Sequence, residues 1–364
     1  MNSLSENLLL VVQLAGLVLL LLLVGLLLYL SARKAINNKH IDRYNRGLQR
    51  LLGTDSALQD FLETGKKSRR LNGRVNRRSP IFEALRIHLS ISRTEHERSL
   101  IYEYARNHFH DYYAGQLKKR RWSTRVNALL EVELFRMNSL REELVELLGK
   151  RNLSDTEKFL ILQIFAGFQM KEVLPYVKDE ASSLSDAQLL QLLLPLESSL
   201  QECILTEFHA YPVRVQCAMV EVLRLRNERS APVLHLLESL LCSEEPKLRL
   251  LAILAIANFG YISPEGENTL VASLQQPQPG FSRNERQALA RLMGSIREEH
   301  FIPILLKFMG DESYGVRQTA SDSLSRYKSG QEQLQNAAYH HPDRFAREMA
   351  EETLERKRYE GVFH

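Results

Sequence analysis

APVLHLLESLLCSEEPKLRLLAILAIANFG (residues 231–260) and IPILLKFMGDESYGVRQTASDSLSRY (residues 302–327) are two versions of one pattern. Each places a proline near the start of an apolar helix, passes through an acidic turn, and resumes with an aliphatic residue and an arginine that open a second helix. A pattern repeated at such a distance decides the fold before anything else does, because a unit of two amphipathic helices cannot bury its apolar face alone.

Taking the arginine as a column, the register extends over Arg125, Lys158, Leu189, Arg214, Arg249, Arg286, Arg317 and Arg347, with gaps of 33, 31, 25, 35, 37, 31 and 30 residues. Three residues after the column stand Ala128, Ile161, Leu192, Cys217, Ala252, Leu289, Ala320 and Ala350, all apolar. Seven residues after it stand Val132, Phe165, Leu196, Glu221, Ile256, Met293, Leu324 and Leu354, where Glu221 alone breaks the rule. Offsets of three and seven share one helical face, so each unit presents a stripe that only a neighbouring unit can cover. Helix-start chemistry supports the same register. Ser154, Ser185 and Ser282 are each followed three residues on by Glu157, Gln188 and Glu285, the capping-box spacing. Pro175, Pro232 and Pro303 precede their columns by 14, 17 and 14 residues and suit the first turn of the preceding helix.

On these residues the chain resembles the HEAT-repeat family, two-helix units stacked into an α-solenoid. The resemblance covers 212–327 best, 120–200 and 342–356 less well, and nothing before about residue 80. It departs from the family pattern at Leu189 and at the short gap before Arg214. It implies an all-α fold of about eight hairpin repeats over residues 122–358. It also implies a structural role for the column arginines Arg125, Arg214, Arg249, Arg286, Arg317 and Arg347, paired with acidic turn residues such as Asp311.

Composition fits a folded chain: 44% hydrophobic, 25% charged, 17 Gly, 11 Pro and 3 Cys, which excludes wholesale disorder, collagen and a disulfide scaffold. Charge divides it sharply. Lys and Arg against Asp and Glu number 0 and 1 in residues 1–30, 13 and 4 in 31–80, and 35 and 39 in 81–364. Cys203, Cys217 and Cys242, with no CxxC spacing, read as small buried residues in a reducing compartment.

Leu8 to Leu30 is an uncharged run of 23 residues whose one strongly polar side chain is Gln13. As a helix it would reach about 34 Å, which predicts a single transmembrane helix over 8–30. A cleaved signal peptide would need a basic leader and a shorter apolar run. Arg33, Lys34, Lys39, Arg43, Arg46 and Arg50 follow it, so the positive-inside rule predicts a plasma (inner) membrane protein with its N-terminus outside and its C-terminal domain cytoplasmic. Gln13, Ala15, Gly16 and Gly25 could form a packing face for another membrane helix.

Residues 31–80 read as a basic juxtamembrane helix and linker. Lys66, Lys67, Arg69, Arg70, Arg74, Arg77 and Arg78 are candidates for contact with anionic lipid. The same field would attract nucleic acid, although the segment carries no recognised nucleic-acid motif. Residues 81–121 form a helical cap. Tyr112, Tyr113 and Trp122 are candidates for partner docking by residue type, and a covered aromatic core is the competing reading.

No catalytic, cofactor-binding or metal-binding residue is assigned. His108 and His110 diverge by about 200° on a helix and lack a second ligand pair. Iron-dependent HEAT-like hydroxylases carry several His-Glu pairs and this chain only His96-Glu97, while base-binding HEAT-like glycosylases have a basic groove. The expectation is a non-catalytic protein-binding scaffold with a membrane-associated partner, for which the resemblance suggests a polysaccharide-synthesising glycosyltransferase. The alternatives are a lyase that uses the solenoid groove and nucleic-acid binding through the connector.

Overall fold

The computed structural model describes the chain apart from residues 1, 54, 67, 69, 70, 72–78, 93, 180, 276–279 and 362–364, and the side chains of 2–20, 40, 181 and 275. Among the described residues it is all-helical, with no strand. The chain forms two compact units, Met1–Ile164 and Phe165–His364.

The first unit begins with α1 (Asn2–Leu52), α2 (Ala57–Thr64), α3 (Pro80–Ile91) and α4 (Glu95–Leu117), followed by α5 (Trp122–Leu134), α6 (Arg141–Leu148) and most of α7 (Asp155–Gly167). Gly53 ends α1, and Ser56 restarts the chain as N-cap of α2 by accepting the Gln59 amide at 3.0 Å. Gly65, with φ +71°, closes α2 in the left-handed conformation. Around these helices Phe61, Phe82, Tyr104, Phe109, Tyr113 and Phe135 are buried. Their rings meet mostly edge to face, at centroid distances of 5.2 Å for Phe82 and Phe135 and 5.8 Å for Phe61 and Tyr104. The Tyr104 hydroxyl donates to the Leu71 carbonyl, and burial pushes its pKa up to about 12.

The expected membrane localisation is corrected here. Among the described residues no helix is long and apolar enough to cross a membrane. The described apolar side chains at the head of α1 run from Leu21 to Leu30. From there α1 runs without a break through Arg33, Lys34 and Lys39 to Leu52. The side chains of 8–20, with Gln13, Ala15 and Gly16, lie outside the described residues, and Gly25 has nothing within 4 Å of where a Cβ would stand.

The second unit contains α8 (Val173–Asp179), α9 (Asp186–Leu193), α10 (Ser198–Thr206), α11 (Val213–Arg226), α12 (Ala231–Ser239), α13 (Pro246–Phe259) and α14 (Pro264–Gln275). It ends with α15 (Arg283–Ile296), α16 (Ile302–Met309), α17 (Tyr314–Leu324), α18 (Gly330–His340) and α19 (Arg344–Tyr359). The second helices of successive hairpins form a row: α9 packs on α11, α11 on α13, α13 on α15, α15 on α17 and α17 on α19. In three hairpins the first helix packs on the second from the other side, α12 against α13, α16 against α17 and α18 against α19. This is a solenoid-like stack of helical hairpins, as the repeats require.

The periodic positions carry the stack. All eight residues three after the column are buried, as are seven of the eight that stand seven after it. Each large aliphatic among them contributes about 1.5–3 kcal/mol by leaving water. Glu221, the exception, is half-buried and is held by Arg224 at 2.5 Å on its own helix. The capping boxes form at Ser185 and Ser282, and Ser154 makes the same reciprocal bonds with Glu157. Pro232 and Pro303 occupy first-turn positions. Gly260 closes α13 with φ +73°, a conformation that costs glycine nothing. The burial expected of the cysteines holds for Cys217 alone; Cys203 and Cys242 are exposed.

Candidate partner-binding groove

Five of the six column arginines are tied to the turn before them. Arg125 Nη1 donates to the carbonyls of Lys119 and Arg120, Arg249 Nη1 to Ser243, Arg286 Nη1 to Phe281, Arg317 Nη1 to Asp311 and Glu312, and Arg347 Nη1 to His341 and Pro342. In these five repeats one guanidinium thereby satisfies carbonyls that the ending helix or turn leaves unpaired. The rest of the fork reaches onward. Arg125 meets Glu157 at 2.6 Å, Arg249 meets Glu285 at 2.6 Å and Arg286 meets Asp311 at 2.6 Å. Glu157 and Glu285 are also the capping-box glutamates of α7 and α15, so each bonds an arginine of one repeat and caps the next. Asp311 therefore pairs with the arginine of the preceding repeat, while Arg317 uses only its carbonyl and stacks on Phe345 with 5.0 Å to the centroid.

Arg214 departs from this scheme. It reaches back to Asp186 at 2.8 Å and to the Leu184 carbonyl at 2.7 Å. The 25-residue gap brings Asp186 close, and Lys247 of the following repeat shares the same carboxylate at 2.7 Å. Lys247 and Arg214 together hold the Asp186 carboxyl below its ordinary pKa.

The buried glutamates give the stack a pH dependence. Burial alone would raise Glu157 and Glu285, but the guanidinium and the serine bonds outweigh it and hold both below the ordinary value of 4.5. In the unfolded chain these carboxyls take up protons first. The stability they supply is therefore complete above about pH 4.5 and is lost as pH falls through the lower folded values. Urea midpoints measured from pH 7 to pH 3 are expected to stay level and then drop below pH 4.5, and the drop should shrink in Glu285→Gln; a midpoint flat to pH 3 would contradict the pairing.

The opposite side of the second helices lines an open groove. Leu250 and Leu254 of α13, Asn284, Gln287 and Arg291 of α15, and Thr319, Asp322 and Arg326 of α17 border a cleft of about 440 Å³. A smaller cleft of about 190 Å³ adjoins α13 on its other flank, between Leu190, Cys217, Ala218, Glu221, Lys247 and Leu251. Leu250, Leu251 and Leu254 are only half-buried, which leaves an aliphatic strip between two polar walls. Across the stack Gln287 donates to Thr319 at 3.2 Å and Arg356 pairs with Asp322.

The other candidates are placed as follows. Tyr113 is 1% exposed and its hydroxyl donates to Glu131 at 2.7 Å, so it belongs to the aromatic core and is corrected as a docking residue. Tyr112 is half-buried against it. Trp122 is 50% exposed and bonds Ser154 at 3.0 Å, which leaves it accessible in the first unit. Of the proposed lipid contacts, Lys66 is exposed, while Lys67, Arg69, Arg70, Arg74, Arg77 and Arg78 lie outside the described residues. His110 bonds Ser139 at 3.1 Å, and the described residues hold no group of three metal-ligating side chains.

No family model and no curated protein matches the chain. Among solved structures, the karyopherin Kap121p bound to the extreme C-terminus of the protein phosphatase Cdc14p is similar at a TM-score of 0.49 with 12% identity, over 87% of this chain and 42% of that one. An engineered protein, structural genomics target OR497, is similar at a TM-score of 0.37 with 15% identity, over 86% of this chain and 98% of that one. The chain thus spans about two-fifths of the karyopherin's length. Both likenesses are distant, and the repeat architecture stands on the helix packing itself.

Proposed function

We propose that the chain is a non-catalytic protein-binding scaffold whose second unit receives a partner segment in the groove along α11, α13, α15 and α17. The observation that supports this reading is the strip of Leu250, Leu251 and Leu254. A helix fully packed on one face has no folding reason to keep three further leucines half open to water, and apolar strips rimmed by polar groups mark interaction surfaces. The column arginines are occupied by carbonyls and carboxylates, which fits a structural role for them. A glycosyltransferase partner is implied only together with a membrane tether, and without that tether nothing in the groove selects it.

Replacing Leu250 and Leu254 by aspartate is expected to leave the helical circular dichroism unchanged, because both side chains already meet water. It should reduce the stoichiometric recovery of the partner at least tenfold in quantitative affinity purification. Equal recovery by the wild type and the double variant would contradict the reading.

A further inference from the structure

We infer that the cleft over α13, α15 and α17 takes an acidic protein segment, with an apolar side chain seated on Leu250 and Leu254 and carboxylates held by Arg291 and Arg326. The inference rests on the docking reading above and narrows it to a class of partner. Its basis is an inversion of charge. Residues 165–364 contain 21 Lys and Arg against 27 Asp and Glu, a net charge of −6. The cleft within this acidic unit is lined by two exposed arginines, Arg291 and Arg326, for which the described residues provide no ion pair. Its one carboxylate, Asp322, is already taken by Arg356. Further along the groove Lys247 and Arg214 share Asp186, and Glu221 beside them is held by Arg224 on its own helix. The groove is thus locally cationic on an anionic body, and such complementarity selects and steers an anionic partner.

The walls say which kind of anion. Asn284 and Gln287 stand beside the arginines and offer amide groups to a peptide backbone. The floor is aliphatic, and no aromatic side chain lines the cleft to stack a base. A long polyanion would also meet the surplus of carboxylates that the rest of the unit carries. A short segment with Asp or Glu beside Leu, Ile or Phe satisfies both walls and floor.

The test pans the full-length chain against a display library of random twelve-residue peptides and measures enriched sequences by fluorescence anisotropy. Enrichment of sequences pairing acidic with large apolar residues is expected, with affinity that falls in salt. Arg291→Glu or Arg326→Glu should weaken them about tenfold each, since a charge reversal replaces an attraction at the groove by a repulsion. Lys307→Glu on α16, outside the groove, should leave them unchanged, and circular dichroism identifies any variant that fails to fold. Basic or uncharged winners, acidic winners indifferent to both reversals, or tighter binding of a single-stranded oligonucleotide would overturn the inference. Uncharged winners that are lost in Leu254→Asp would sink the acidic preference yet leave the docking reading standing. No enrichment at all would count against both.

Discussion

Arg249→Ala is expected to destabilise the second unit by about 3–5 kcal/mol, because it removes one partner of a buried ion pair and leaves the other charged. The side chains of Arg249 and Glu285 are 8% and 1% exposed and meet at 2.6 Å. With the guanidinium gone, Glu285 keeps only the Ser282 amide and hydroxyl, at 2.8 and 2.6 Å, and the Ser243 carbonyl loses its donor. Glu285→Gln, added to Arg249→Ala, should recover part of the loss, since a neutral amide can still complete the capping box without a buried charge. Urea unfolding followed at 222 nm checks both. A cost under about 1 kcal/mol for the single variant, or strict additivity in the double, would show that the pair does not join the repeats.

Gly294→Ala tests the contact between α15 and α17. A Cβ at Gly294 would lie 2.4 Å from the Ser323 hydroxyl oxygen and 2.8 Å from the Ser323 Cα, so the intruding methyl meets backbone as well as side chain. The two helices would have to separate, and overpacking of this kind costs about 1–3 kcal/mol. Alanine is otherwise the better helix former by about 1 kcal/mol. A neutral or stabilising result would therefore mean that the helices are further apart than described. Ser323→Gly in the same chain should restore only part of the loss, because the Cα at 2.8 Å remains, and Ser323→Ala should restore little because its Cβ would lie 2.5 Å away.

What could be read in the sequence was whatever repeats. The apolar positions three and seven after each column recur once per hairpin, and recurrence separates a packing requirement from chance. Those positions are buried, and the serine caps form where their spacing places them. The single discord, Glu221, has a local partner in Arg224, which no periodic argument would find. Arg214 shows the reverse: the short gap before it marked a departure, but membership of a column does not reveal that its guanidinium turns back to Asp186.

The groove was harder to see because binding residues need not repeat. Leu250 and Leu254 of one hairpin become Gln287 and Arg291 in the next, so the inner face changes chemistry from unit to unit. One signal was present in PKLRLLAILAIANF, residues 246–259. Its leucines exceed what a single apolar stripe requires, and a helix apolar on more than one face needs a second contact. Tyr113 was grouped with Tyr112 and Trp122 by residue type, but its position four residues after buried Phe109 puts it on the core face of α4.

The direct test of the central claim is site-specific photo-crosslinking in the native host, with a benzophenone amino acid at position 254 on the inner face or at 307 on the outer. The groove reading predicts a discrete protein adduct from 254 that disappears when Leu250 is replaced by aspartate, and none of comparable yield from 307. Equal adducts from both positions, or an adduct from 307 alone, would contradict it.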